Sequence, residues 1–462
     1  MKPTTFQYLA LCTLLLGLSA PASTQAQTGD PAPAEATVPL TTPPEAEPAV
    51  VAPAPQPELQ PSAAAAAAPS AEPKEEPEKK EEAKPHSPPW YELLKIRGYT
   101  QMRYNRIPTF DENDSIINDQ GDKYIGNGSG FGIRRARVIL YGDVHERVSV
   151  YLQTDFGSAI GDQNHVAIVR DWYADVFLDS AKEFRLRIGQ SKVPYGFENM
   201  QSSQNRLPLD RNDAINSALK DERDLGIFAY WAPAATRALF KRLVDDNLKG
   251  SGDYGVLGLG VYNGQTANRF DRNDNLHVVG RLTYPFQIGS QILEVGGGGY
   301  TGLYQVTLAE DSDFYTRDSD GSLRDARAYG QLVLYPQPLG ITIEVNGGVG
   351  PQMGRPGDAD RNEIKSRELF GGYAQLYYMV RDLAGTVSFT PYVRGTYYDG
   401  GKKFETNAPY YRVRELEMGI EWQLIKALEV TAVYTITDRT SSKSPYDRQK
   451  GHIGRVQVQF NY

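Results

Sequence analysis

The amino-acid sequence predicts an all-β chain closed into a transmembrane antiparallel β-barrel of about sixteen strands, behind a disordered Pro/Ala/Glu-rich segment. Three observations carry that prediction. From Trp90 onward, segments rich in Tyr, Val, Thr and Gly alternate apolar and polar residues with period two. The connections between them alternate long and short, as the outer loops and inner turns of membrane barrels do. The chain also closes on Val456, Val458, Phe460 and Tyr462 interleaved with Arg455, Gln457, Gln459 and Asn461, an apolar face that runs to a terminal aromatic.

Residues 1–26 read as a secretory signal peptide. Lys2 gives a positive start, Phe6 to Leu18 an apolar core, and Thr24-Gln25-Ala26 a small-residue cleavage site. The apolar run stops at Ser19-Ala20-Pro21, short of the roughly 20 residues a membrane helix needs. The one cysteine, Cys12, lies inside this signal, so the mature chain has no thiol for disulfides or metal ligation.

Residues 27–89 form a linker of Pro, Ala and Glu, with alanines from Ala63 to Ala68 and a charged run from Lys74 to Glu82. Too little apolar surface is available there to offset ordering entropy, so this segment is expected to be a disordered periplasmic spacer. A contact with peptidoglycan is its alternative role.

The barrel is expected over 90–462. Strands are placed near 95–105, 131–144, 147–157, 167–179, 183–195, 223–232, 254–263, 275–285, 291–304, 326–335, 339–349, 368–380, 385–399, 411–423, 427–439 and 452–462. Long outer connections are expected at 106–130, 158–166, 196–222, 264–274, 305–325, 350–367, 400–410 and 440–451. Short turns include His145-Glu146 and Leu424-Ile425-Lys426. Helical periodicity is expected only around Asp210 to Arg223. The connection 233–253 breaks the rule, being long where a short turn is due.

Facing apolar residues outward puts a basic set in the lumen: Arg97, Arg103, Arg135, Arg137, Arg185, Arg187, Arg281, Arg327, Arg394 and Arg455. The same rule turns Asp143, Asp155, Asp171, Asp175, Glu294, Glu344, Glu415, Glu417, Glu421 and Glu429 inward. Guanidinium groups on a wall can pass oxyanions along, or they can simply pair with these carboxylates. Beyond residue 89 the chain carries 44 Lys+Arg against 46 Asp+Glu, so the charge balance does not choose between the two.

Other signals are weaker. The aspartates around Asp311-Ser312-Asp313, Asp318-Ser319-Asp320-Gly321 and Asp271-Arg272-Asn273-Asp274 lack the closing glutamate of a calcium loop. They suit loop tips beside lipopolysaccharide. The histidines His86, His145, His165, His277 and His452 form no ligand or catalytic pattern, and no metal, cofactor, enzymatic activity or nucleic-acid partner is expected. Gly296 to Gly299 reads as a bending point in a strand.

Three motifs then carry a resemblance spanning nearly all of 90–462: Ile96-Arg97-Gly98-Tyr99-Thr100-Gln101-Met102-Arg103-Tyr104, Gly132-Ile133-Arg134-Arg135-Ala136-Arg137, and the stretch from Arg187 to Glu198. With Asp221-Glu222-Arg223-Asp224-Leu225-Gly226 and Tyr262-Asn263-Gly264 in the same order, the chain resembles the phosphate-selective porin O and P family. That resemblance implies a bacterial outer-membrane homotrimer of sixteen-stranded barrels, each with its own pore. It also implies a third outer loop folded inward as a constriction, here 196–222, where Arg206, Asp210, Arg211 and Lys220, with Asp213 and Asp221, would meet solute. The function expected is passive diffusion of small hydrophilic solutes, with anions or phosphate preferred. The alternative is a plugged structural barrel that tethers the outer membrane to peptidoglycan through its N-terminal segment.

Overall fold

The computed structural model describes residues 89–107, 116, 130–160, 163–310, 312–318, 320–442 and 448–462. The expected signal peptide and almost all of the linker lie outside the described residues, as do Asp311 and Ser319.

Seventeen hydrogen-bonded segments follow in order: β1 (Lys95–Arg106), β2 (Gly130–His145), β3 (Val148–Ile160), β4 (Gln163–Phe177), β5 (Phe184–Lys192), β6 (Arg223–Trp231), β7 (Leu257–Tyr262), β8 (His277–Ile288), β9 (Gln291–Gln305), β10 (Ser322–Leu334), β11 (Leu339–Gln352), β12 (Lys365–Tyr378), β13 (Val380–Arg381), β14 (Ser388–Gly401), β15 (Tyr410–Ile425), β16 (Leu428–Ser441) and β17 (Arg448–Asn461). β12 and β13 both pair with β14 and are one strand interrupted at Met379, so the ring has sixteen staves. Every stave runs antiparallel to its neighbours, and β1 pairs with both β2 and β17, which closes the barrel. Closure leaves no edge of unpaired backbone groups facing hydrocarbon, the condition for strands to cross a bilayer.

The alternation read from the sequence sorts residues as expected. Outward side chains such as Ile96 and Leu282 keep 74% and 61% of their surface, whereas Arg103 and Glu294 inside keep none. A water-soluble fold would cover such an apolar face; a barrel presents it to lipid.

The terminal aromatic completes the seam. Tyr462 exchanges backbone hydrogen bonds with Gly98, N to O at 3.0 Å and O to N at 2.6 Å. A Cβ on Gly98 would lie 2.4 Å from the Tyr462 ring, so glycine at this place in β1 is what lets the ring lie across it. Gly298, in the middle of β9, is needed for a similar reason: a Cβ there would meet the Gly280 carbonyl oxygen at 2.3 Å.

Two connections differ from expectation. The stretch 158–166 is almost wholly strand, because β3 and β4 run on to Ile160 and from Gln163. The stretch 233–253 holds the longest helix among the described residues, α3 (Ala234–Asp245), where no helix was expected. The strand count does not slip there. Pro233 opens the helix, and Phe240, Leu243 and Leu248 bury against Val256, Ile292, Val333 and Tyr335 inside the barrel end that carries the short turns. Within α3, Leu239, Phe240, Leu243 and Val244 recur at helical spacing over three turns, and burial of Phe240 and Leu243 against the wall completes a helix too short to stand alone. Around Asp210 to Arg223, by contrast, there are only single turns, α2 (Asp213–Asn216) and a 3-10 turn at Lys220–Glu222.

Candidate functional site

After β5 ends at Lys192 the chain turns into the lumen and stays there until β6. Most of residues 193–222 are buried. Gly196 takes a φ of 80°, open to glycine at little cost, and starts the short helix α1 (Phe197–Met200). One side of the segment is apolar: Tyr195 packs edge-on against Tyr300 and Tyr329, at 5.0 and 4.8 Å between ring centroids. Val193, Ala218 and Leu219 join the same cluster with Phe228, Tyr230 and Tyr262 of the wall.

The polar side is tied to the rest of the ring. Glu344 of β11 accepts the backbone N–H groups of Phe197 and Glu198 at 2.7 and 3.1 Å, while Glu198 receives Arg394 of β14 at 2.7 Å. Asp213 meets Lys402 at 3.2 Å and Arg439 at 3.5 Å. Ser217 accepts from Arg327 at 2.9 Å, and Ser203 bonds Tyr99 at 2.7 Å. Glu222 sits among Lys192, Arg211 and Arg223 at 2.9 to 3.1 Å. Asp210 pairs with Arg103 at 3.1 Å, with Arg455, and with Arg134 at 3.7 Å. Burial alone would raise the Asp210 carboxyl, but Arg103, Arg455 and Arg134 together hold it well below the usual carboxylate range. Glu222 is likewise pushed up by burial and drawn well below that range by Lys192, Arg211 and Arg223. Such buried pairs fix the path of the segment more than they add net stability, since desolvation offsets much of the attraction.

Nine of the ten predicted lumen arginines are buried inside the barrel. Arg97 lies on the same face but is exposed at the short-turn rim, 5.5 Å above the Tyr141 ring. Pairing with carboxylates is the rule among the nine: Arg137 with Asp155 at 2.8 Å, Arg187 with Asp175 at 2.8 Å, Arg185 with Asp175 at 3.7 Å, Arg281 with Glu294 at 3.7 Å and Arg327 with Asp325 at 2.8 Å. Arg135 differs. It donates to Gln101 at 2.7 Å, and its charged neighbours are the Asp210 carboxylate and four arginines, Arg134, Arg137, Arg206 and Arg103. Of the predicted acidic set, Asp143 is exposed at the rim and Glu415 half-buried; the other eight are buried. In the inward segment, Arg206 is buried, Asp210 and Arg211 are half-buried, and Lys220 is exposed, its carbonyl accepting from the Thr266 hydroxyl.

Arg223 and Arg439, buried inside the barrel, stand outside the expected set, and strict alternation misplaces two further arginines. The β1–β2 register steps from Gln101↔Arg135 to Met102↔Ile133, and the β3–β4 register from Gln153↔Asp171 to Thr154↔Val169. Each step leaves out one residue, Arg134 and Arg170, and the bulge turns its side chain inward. Arg134 then reaches Asp210, and Arg170 reaches Asp221 at 3.0 Å and Asp155 at 3.5 Å. The sequence did hold a clue. Arg134-Arg135 and Arg170-Asp171 are adjacent charges within a strand, and one of each pair would face lipid at a cost of about 2–4 kcal/mol for arginine near the midplane unless the alternation broke.

Between residues 210–213 and the wall of β14 to β17 lies a cavity lined by Arg211, Arg394, Arg439 and Arg455 together with Glu415 and Glu417. Both signs of charge meet there. Chemically, the arrangement can contact and pass ions and polar solutes.

A family model described as phosphate-selective porin O and P matches residues 114–462. No curated protein matches the sequence. Among solved structures, the outer membrane channel DcaP of Acinetobacter baumannii is similar, with 12% identity, a TM-score of 0.49, and coverage of 80% of this chain and 97% of that one. An anion-selective porin from Comamonas acidovorans is similar at 10% identity and a TM-score of 0.47, covering 80% and 99%. Outer-membrane expressed OmpT of Vibrio cholerae aligns at 10% identity and a TM-score of 0.43, covering 80% and 97%.

Proposed function

This chain belongs to the phosphate-selective porin O and P family, and from that premise we propose that it is an outer-membrane porin whose passive path for small hydrophilic solutes favours anions. The observation that carries the preference is the gathering of Arg103, Arg134, Arg135, Arg137 and Arg206 on the β1–β2 side. Asp210, Asp155 and Glu222 are the carboxylates paired there, with Arg103, Arg134, Arg137 and Arg206. A hydrated anion passing Arg135 finds a guanidinium whose described partner is a neutral amide. Phosphate suits such groups because its oxygens accept two parallel N–H bonds from one guanidinium. The acidic residues Glu415, Glu417, Glu421 and Glu429, on the adjoining wall of β15 and β16, keep the preference moderate. The working form is a homotrimer in the bacterial outer membrane among lipopolysaccharide, with residues 27–89 in the periplasm.

The test is current through the purified protein in planar bilayers under a KCl gradient. The wild type is expected to conduct with a reversal potential on the anion side. Arg135→Gln should move it toward neutral with little loss of conductance, and added phosphate should reduce chloride current. A cation-side reversal potential in the wild type would overturn the preference.

The depth to which 193–222 fills the lumen favours one further reading, a plugged barrel that tethers the membrane to peptidoglycan. That reading expects no conductance, and capture on peptidoglycan that is lost when 27–89 is removed.

A further inference from the structure

The connection from β6 to β7 does not stay on its own side of the barrel. Beyond α3, Lys249 makes a buried ion pair with Glu421 of β15, and Asn247 donates to Gln423 of the same strand at 2.7 Å. Arg381 donates to the Asp246 carbonyl at 2.7 Å. β15 stands seven to eight staves from β6 and β7 in a ring of sixteen, so the connection reaches across the full width of the lumen. On the near wall Asp253 is held by Arg237 at 2.8 Å and Arg185 at 3.5 Å. This crossbar also touches the inward segment, through Gln201 donating to the Lys249 carbonyl at 2.6 Å. Toward β9 and β10 the space beside it is filled by Phe240, Leu243, Ile292, Val333 and Tyr335. On its other side the crossbar faces β5, with Tyr254 5.6 Å from the Arg187 guanidinium.

That side carries an unusual surface. Tyr141, Tyr151 and Tyr173 are direct cross-strand partners on β2, β3 and β4, all half-buried on the inward face. Tyr151 and Tyr173 stack at 5.1 Å, and Arg187 lies 3.9 Å over Tyr173 and 5.6 Å from Tyr254, a residue of the crossbar. Wall and crossbar therefore share one aromatic row, and exposed Arg97 stands over its other end at Tyr141.

We propose that this row is a second filter, in series with the inward segment, which retains anions bearing an apolar ring. The row offers a tyrosine surface to the ring and the Arg97 guanidinium to the negative charge. The proposal rests on the porin reading and adds a solute class and a place to it.

Bilayer recording with sodium benzoate and sodium acetate tests it, because these anions share a carboxylate and differ in the ring. Benzoate should block chloride current at about three- to tenfold lower concentration than acetate. Tyr173→Ala and Tyr254→Ala, checked for folding by heat-modifiable gel mobility, should each bring benzoate toward acetate while chloride conductance persists. Arg97→Gln should weaken both anions alike. If wild-type benzoate and acetate block equally, or if both tyrosine variants keep the difference, the filter is refuted and the porin reading stands. Absence of chloride current altogether would sink both.

Discussion

Replacing Asp210 by Asn removes one negative charge from the point where three strands and the inward segment meet. Asp210 faces Arg103 at 3.1 Å, Arg455, and Arg134 at 3.7 Å. Breaking a buried pair costs about 3–5 kcal/mol, and because Asp210 keeps 13% of its side-chain surface the loss should take the lower end of that range. The segment remains held by Glu198, Asp213 and Glu222, so the barrel should still assemble. For a passing anion the gain is electrostatic: a unit charge about 4 Å away is worth about 1 kcal/mol in a water-like medium and up to about 4 kcal/mol where screening is poorer. The smaller figure already corresponds to about a fivefold gain for the anion, and the opposite effect on cations moves the anion-to-cation permeability ratio further in the same direction. Reversal potentials of wild type and Asp210→Asn under the same KCl gradient measure it directly, with gel mobility reporting that the variant has folded. An unchanged ratio, or a shift toward cations, would refute the reasoning that these guanidiniums face the solute path.

Other perturbations follow from the same geometry. Arg134→Gln should shift the reversal potential opposite to Asp210→Asn, by a comparable amount, since it removes a cation half-exposed beside the same carboxylate; bilayer recording reads the sign. Asp210 and Glu222 have folded pKa values depressed below their unfolded values of roughly 4. Their stabilisation is complete above the unfolded values and is lost only as pH falls through the depressed ones. Wild type and Asp210→Asn should thus differ in reversal potential at both pH 7 and pH 5 and converge only in more acid solution; convergence already between pH 7 and pH 5 would contradict this. Gly298→Val should cost about 1–3 kcal/mol in urea unfolding of the detergent-solubilised protein, because its Cβ has no room beside the Gly280 carbonyl.

Much of this fold was legible because a membrane strand must alternate. All sixteen expected strands are present, and Tyr462 closes the ring against Gly98. The lumen face was legible for the same reason, so Arg103, Arg135 and Arg455 could be placed from their neighbours alone. Arg134 and Arg170 escaped because a bulge breaks the period on which the reading depended. α3 escaped although Leu239, Phe240, Leu243 and Val244 carry a helical period, because three turns of it give a short signal whose partners on β9 and β10 lie far along the chain.

The sequence by itself thus determined the barrel, the stave count and, away from the bulges, which side chains face inward, since the bilayer imposes a two-residue period that any strand must declare locally. Only the tertiary structure decided which inward charges are neutralised and which part of the lumen is filled. Asp210 meets Arg455 from 245 positions away, and Lys249 meets Glu421 from 172. Pairings of that kind depend on how two segments cross a closed ring, and no local pattern encodes the crossing.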